Sequence, residues 1–198
     1  PRTEEQYEKI REERKEVIMQ TALRLFSEHG FNDTSISKIA QEAKISKGLI
    51  YNYFESKEDL IKQIVIHGFE TLVLVFDPNK DGFLTDEEFV FFIDKVFEIM
   101  QNNREYWKLY FATLVQPDVL KLVEDNLNEV IEPFMKTLVD YYQRKEVKNP
   151  FAMSLLLGAM LDGVSMNYIA NPDAFPVEDI KEIIIEKFGY INNKNEEL

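Results

Sequence analysis

Residues 77–88 read DPNKDGFLTDEE. Asp77, Asn79 and Asp81 stand at the first, third and fifth positions of this stretch, Gly82 at the sixth, and Glu88 at the twelfth. Phe83, at the seventh, offers a backbone carbonyl. Hard oxygen donors at this spacing can wrap a chain around a calcium ion, with the glycine making the sharp turn and the closing glutamate binding through both oxygens. The same residues also suit a plain corner between two helices. Thr85-x-x-Glu88 is a capping box that starts a helix, and Asp77-Pro78 and Asp81-Gly82 are turn dipeptides. Both readings stay open from the residues alone.

Other chemistry is scarce. The chain has no cysteine, which excludes disulfides, thiolate metal sites and a cysteine nucleophile. Its two histidines, His29 and His67, fall in no plausible triad or metal cluster, so no enzymatic activity is expected. The formal net charge of −13 argues at first against a nucleic-acid partner. Its distribution matters more: residues 9–57 carry nine Lys/Arg against seven Asp/Glu, a local balance of +2. Exposed charges farther apart than about 8–10 Å are largely screened, so the less acidic end can still bind phosphate.

The elements that must position these residues are helical. Apolar residues recur at helical spacing nearly throughout, with no sustained alternation. Helices are expected over about 6–29, 35–42, 46–52, 57–76, 86–101, 103–115, 117–144, 150–170 and 176–188. Gly30 stops the first of them, and Pro117, Pro150, Pro172 and Pro176 punctuate helix ends. The tail KNEEL is polar and expected to fray. At 198 residues and 45% hydrophobic, the chain can bury a real core. No secretory apolar region opens it. The longest apolar run, LLLGAML at 155–161, falls short of the roughly 18 residues a membrane span needs. The expected location is the cytoplasm, with no membrane partner.

The stretch 34–60, TSISKIAQEAKISKGLIYNYFESKEDL, holds two short apolar faces joined by a tight polar corner, the geometry of a helix-turn-helix. Ile36, Ile39, Ala40 and Ala43 form the first face, and Ile45, Leu49 and Ile50 the second. Ala40 is small where the helices must approach. Ser46 is placed to cap the second helix, and Ser56 precedes acid in the first turn of the next. Lys47 and Gly48 lie where a helix N-terminus favours phosphate. Lys47, Leu49 and Asn52 are candidates for base edges, since asparagine can pair bidentately with adenine. Tyr51 and Tyr53 project from the same segment, although apolar neighbours favour a packing role for Tyr51. Phe54 is expected in the core.

Over residues 10–60 the chain closely resembles the tetracycline-repressor (TetR) family of transcriptional regulators. The resemblance rests on Leu25-Phe26, Gly30-Phe31, Thr34-Ser35-Ile36, Ile39-Ala40, Ala43, Ile45-Ser46, Lys47-Gly48, Ile50-Tyr51, Tyr53-Phe54 and Ser56-Lys57-Glu58. One departure is Lys44, where the family has glycine; a positive φ there costs about 1 kcal/mol, so the turn should survive. The resemblance implies an all-α protein with a three-helix DNA-binding module at 1–56 and a ligand-binding and dimerisation bundle at 57–198. It implies that Thr34, Ser35, Tyr53 and Lys57 hold phosphates. It further implies a palindromic operator of double-stranded DNA, read by a homodimer with half-sites about 34–36 Å apart or a multiple of that.

Beyond residue 60 the resemblance lies in helical layout and in the closing pattern DGVSMNYIANPDAFPVEDI. It implies a small-molecule cavity, for which Phe92, Val96, Trp107, Tyr110, Phe111, Leu114 and Met160 are the candidate lining. Without a buried basic pair, an apolar or aromatic effector is expected; a packed bundle core is the competing use of these side chains. Leu156, Ala159, Gly163 and Val164, with Ile180, Ile183, Ile184 and Phe188, supply two apolar stripes for a dimer interface or for an intrachain core. Asp162 on that helix suits an interfacial polar group or a ligand contact. Loop 77–88 also resembles an EF-hand in its apolar Leu84 and in the Phe89 that follows Glu88. No cofactor is required, and calcium is the one ion suggested. The expected function is a homodimeric, ligand-responsive repressor, with calcium able to act on operator affinity through the 77–88 corner. The alternative is a calcium sensor or interaction protein that does not bind DNA.

Overall fold

A computed structural model describes residues 3–189, so the KNEEL tail lies outside the described residues. Among these, all regular structure is helical. The α-helices are α1 (Glu4–His29), α2 (Ile36–Glu42), α3 (Lys47–Ile50), α4 (Lys57–Val73), α5 (Asp86–Asn102), α6 (Arg104–Leu114), α7 (Pro117–Arg144), α8 (Pro150–Ala170) and α9 (Val177–Ile184). A short 3₁₀ turn, Pro172–Ala174, precedes α9, and a π-helical turn, Ile185–Gly189, extends it.

The helix starts follow local chemistry. Thr3 and Gln6 form a reciprocal capping box ahead of α1, a start two residues earlier than the apolar pattern indicated. Gly30 ends α1 at φ 84°, a conformation open to glycine at no steric cost. Thr85 and Glu88 cap α5 in the same reciprocal way. The expected second helix of the DNA-binding motif is shorter than its pattern suggested, with residues 51–53 in a turn.

The chain forms two compact units. The first comprises residues 1–68 and 109–126, the second residues 69–108 and 127–198. The expected boundary at residue 56 therefore does not coincide with a unit boundary. α4 contributes to both units, and the α6–α7 corner joins the first.

In the first unit α1 packs on α2 and α2 on α3. Ala22, Leu25, Phe26, Ile39, Ile50, Phe54, Leu60 and Ile61 are buried in its core. The α6–α7 corner is tied in by Gln116. Its side-chain oxygen accepts the Phe31 N–H at 2.9 Å, and its amide donates to the Phe26 carbonyl at 3.0 Å. Asn32 donates to Asp118 at 2.6 Å. The Tyr110 hydroxyl donates to the Val65 carbonyl at 2.9 Å, and its ring packs closely against Gly68.

In the second unit a core of Phe76, Leu84, Phe89, Phe92, Ile93, Val96, Phe97, Leu138, Tyr141, Tyr142, Leu157, Leu161 and Ile184 is closed by α5, α7, α8 and α9. Phe89 stacks on Tyr141, and Tyr141 donates to the Gly189 carbonyl at 2.9 Å. Lys181 bridges α9 to α5 through Asp94 at 2.8 Å, and that bond holds the lysine above its usual pKa.

α8 corrects one expectation. It is long and apolar enough, by length and composition, to cross a membrane, with 28% of that stretch buried. Its apolar character comes from two faces. One, with Ser154, Leu157, Leu161, Ser165 and Tyr168, is buried in the protein; the other is exposed.

A Cβ on residue 68 would lie 2.3 Å from the Tyr110 ring. Gly68→Ala should therefore cost about 1–3 kcal/mol of stability despite alanine's better helix propensity. Denaturant unfolding checks this, and a stabilised variant would show that the ring can move aside.

Candidate nucleic-acid interface

The corner between α2 and α3 is built from backbone hydrogen bonds. Ala43 N–H donates to the Ile39 carbonyl at 2.9 Å and Ile45 N–H to the Ala40 carbonyl at 3.0 Å. Ala40 is buried at this approach. Lys44 takes φ 55°, the left-handed turn position expected where the family pattern has glycine. Ser35 caps α2 by accepting from Lys38 N–H, and Ser46 caps α3 by accepting from Leu49 N–H, both at 3.2 Å. Each of these hydroxyls keeps its own proton to donate outward.

α3 is a single turn, so it sums few peptide dipoles, and the phosphate preference expected at its N-terminus is correspondingly small. What it does is orient side chains. Ile50 and Phe54 point inward and are fully buried, while Ser46, Lys47, Gly48, Tyr51 and Asn52 are exposed and Leu49 and Tyr53 are half-buried. Gly48 has open space where a Cβ would stand. Lys47 lies 5.9 Å from the centre of the Tyr51 ring. Tyr51 is 48% exposed, which corrects the packing role its apolar neighbours favoured.

Two residues expected on phosphates are committed elsewhere. Thr34 is fully buried, and its hydroxyl donates to the Gly30 carbonyl at 2.9 Å, with the Leu25 carbonyl at 3.2 Å. It holds the end of α1 and does not reach a surface. The Lys57 ammonium donates to the Phe31 carbonyl at 2.8 Å and lies over the Phe31 ring. It ties the 30–33 corner to the start of α4, with limited capacity left for DNA. Arg11 of α1, not singled out in the sequence, lies 5.7 Å from the centre of the Tyr53 ring and adds positive charge beside it. The basic bias of residues 9–57 was its only signal. A shallow depression of about 270 Å³, lined by Ile10, Arg14, Val17, Ile45 and Leu49 among others, opens on this same unit.

The expected pocket lining is divided between the two units. Phe92 and Val96 are buried in the second unit's aromatic core, with Met160 packed against it. Trp107, also in that unit, is 2% exposed. Tyr110, Phe111 and Leu114 belong to the first unit. There the Tyr110 hydroxyl is already satisfied, so its role is packing.

The expected dimer stripe is divided too. Leu156 and Ile183 are 55% exposed, and Ala159 is exposed. Ile184 is buried in the core, and Val164, Ile180 and Phe188 pack partly against it, so these four serve the chain's own bundle. Gly163 is half-buried with open space at its Cβ position. Phe151, Leu155 and Met166, on the near four-residue row 151, 155, 159, 162, 166, are also exposed on α8. Asp162 lies on that row, and its surroundings push its carboxyl above the usual range.

Asp77, Asn79, Asp81, Phe83 and Glu88 lie in the corner between α4 and α5. Among the described residues no three His, Cys, Asp or Glu side chains form a ready metal cluster.

Residues 18–64 match the family described as bacterial regulatory proteins, tetR family. The chain is 53% identical over 49 residues to the HTH-type transcriptional regulator YuxN of Bacillus subtilis (strain 168), a match covering 25% of this chain and 17% of YuxN. It is 24% identical over 137 residues to IcaR, the negative transcriptional regulator of the biofilm operon icaADBC in Staphylococcus aureus (strain Newman), covering 68% of this chain and 72% of IcaR. Among solved structures, FadR from Bacillus subtilis in complex with stearoyl-CoA superposes with a TM-score of 0.69 at 18% identity, covering 88% of this chain and 97% of FadR.

Lys47→Ala should weaken binding to the cognate DNA and reduce the slope of log affinity against log salt by about one, as loss of one phosphate contact requires. Fluorescence anisotropy at several salt concentrations measures both. A weakened complex with an unchanged slope would assign Lys47 to a base edge.

Proposed function

We propose that this chain, a DNA-binding transcriptional regulator with a TetR-family N-terminal domain, acts as a homodimeric repressor on a palindromic operator and is released by a small-molecule effector. The observation that carries this reading is the inside-out division of residues 46–54, with Ile50 and Phe54 buried and Ser46, Lys47, Gly48, Tyr51 and Asn52 exposed. Such a segment enters the major groove as a rigid body. Ser35, Ser46, Lys47, Tyr53 and Arg11 take phosphates and set its register, while Asn52 and Leu49 meet base edges. The strongly acidic remainder of the chain discourages non-specific adhesion to DNA.

The exposed α8 face, Phe151, Leu155, Leu156, Ala159 and Met166, together with Ile183 on α9, supports pairing with a second copy through an isologous interface. A dimer brings two reading segments to one duplex, as a palindrome demands. For the effector, the aromatic core around Phe92, Val96 and Met160 supports an apolar or aromatic compound. FadR, one structural neighbour, was solved in complex with stearoyl-CoA, whose acyl chain is apolar. Action on DNA implies a cytoplasmic location. The named relatives are transcriptional regulators, in keeping with a non-enzymatic role. A calcium sensor that does not bind DNA is a weaker reading, because it leaves the exposed Lys47–Asn52 face without a use.

Sedimentation velocity and mobility shifts on DNA flanking the coding region test this together. The expected result is a dimer at micromolar concentration that prefers an inverted repeat over its scrambled copy. Leu155→Glu with Leu156→Glu should give a folded monomer whose operator affinity falls at least about a hundredfold, since each half-site then binds alone. A monomeric wild-type chain, or equal affinity for both DNAs, contradicts the proposal.

A further inference from the structure

We propose that residues 77–88 form a binding site for one calcium ion. The regulator reading neither requires nor supplies it. The loop is curled by its own side chains. Asp77 Oδ2 accepts the Gly82 N–H at 2.9 Å, Asn79 Oδ1 accepts the Asp81 N–H at 3.1 Å, and Asp81 Oδ1 accepts the Phe83 N–H at 2.7 Å. Lys80 and Gly82 take φ 58° and 74°, bending the chain twice within three residues. The base of the loop is fixed. Leu84 and Phe89 are buried in the core, and Arg144 lies over the Phe83 ring at 3.6 Å and donates to the Leu84 carbonyl at 2.7 Å.

A helix corner accounts for part of this. Glu88 Oε2 accepts the Thr85 N–H at 2.9 Å and Thr85 Oγ1 accepts the Glu88 N–H at 3.1 Å, a complete capping box. It does not account for Asp77. Asp77 Oδ1 is shut off from solvent and has no hydrogen-bond partner, while the carboxylate's other oxygen faces the turn at Gly82. A buried carboxylate oxygen left unpaired is costly, and a cation is a natural partner for it. On the other side of the loop, Asn79 Nδ2 donates to both Asp81 Oδ2 at 3.1 Å and Glu88 Oε1 at 3.0 Å. Two carboxylates from loop positions five and twelve thus already converge on one electropositive group.

The donor set is all oxygen: three carboxylates, the Asn79 amide oxygen and the Phe83 carbonyl. That is the hard, flexible set calcium prefers, whereas magnesium demands a tighter octahedron and retains its water. The three carboxylates do not form a ready cluster: the Gly82 N–H engages Asp77, and the Asn79 amide engages Asp81 and Glu88. Calcium competes with those donors and draws the carboxylates inward. Lys80 and Arg144 beside the loop oppose the ion's charge, so a dissociation constant of about 10⁻⁶ to 10⁻⁴ M is expected.

The test is calorimetric titration of CaCl₂ into the chelator-treated full chain, with thermal melts alongside. The expected result is one saturable site per chain and a melting temperature that rises with calcium. Glu88→Gln keeps the capping box, since glutamine also serves it, but removes the bidentate charge; it should weaken calcium at least about tenfold with the helical circular dichroism unchanged. Asp77→Asn should behave alike. The proposal is overturned by neither heat nor a melting shift up to about 1 mM calcium, by full affinity in both variants, or by magnesium competing equally at equal concentration.

Discussion

The reading segment is one turn of helix, too short to hold its shape alone. Its orientation depends on two buried side chains, Ile50 and Phe54, inserted into the core that α1, α2 and α4 share. Everything proposed for DNA recognition follows from that anchoring. With Ile50 inward, Lys47 and Tyr51 must face out, and Ser46 must cap at the rim. The supporting polar contacts serve the same end. Thr34 and Lys57 spend their donors on carbonyls of the 25–32 segment, and Gln116 satisfies both Phe26 and Phe31 from another part of the chain. Side chains that looked available for phosphate are used to hold rigid the scaffold that presents the others.

α8 shows how composition alone can mislead. A helix apolar on two faces has the composition of a membrane span, yet one face carries buried Ser154 and Ser165 beside Leu157 and Leu161. Ser154 returns its hydroxyl to the Pro150 carbonyl at 2.9 Å, which lets a polar group sit in the core. The outer face is the one proposed above to pair with a second copy. Asp162 on that face limits how tightly it can be buried, since desolvation disfavours its charge.

Most helices were legible because their apolar rows and end signals agree. α7 runs from Pro117 to Arg144 as expected, and α8 from Pro150 to Ala170. The start of α1 was missed because Thr3 and Gln6 cap a polar first turn with no apolar row behind it. The helix-turn-helix was legible in its two short apolar faces and tight corner, but the fate of individual hydroxyl and ammonium groups was not. Thr34 and Ser35 are neighbours of similar chemistry, and only the path of the chain puts one inside and one outside. Likewise Ile183 and Ile184 differ by one helical step, which sends one to solvent and the other to the core. Periodicity marks a stripe without saying how much of it the chain keeps for itself.

The central claim is that two copies of one buried-anchor segment meet successive turns of a single duplex. Hydroxyl-radical footprinting of the dimer on its own flanking DNA tests this directly. The account predicts two protected windows on one face of the helix, their centres separated by about 10–10.5 base pairs or a multiple of it. A single window, or protection on opposite faces, would contradict it.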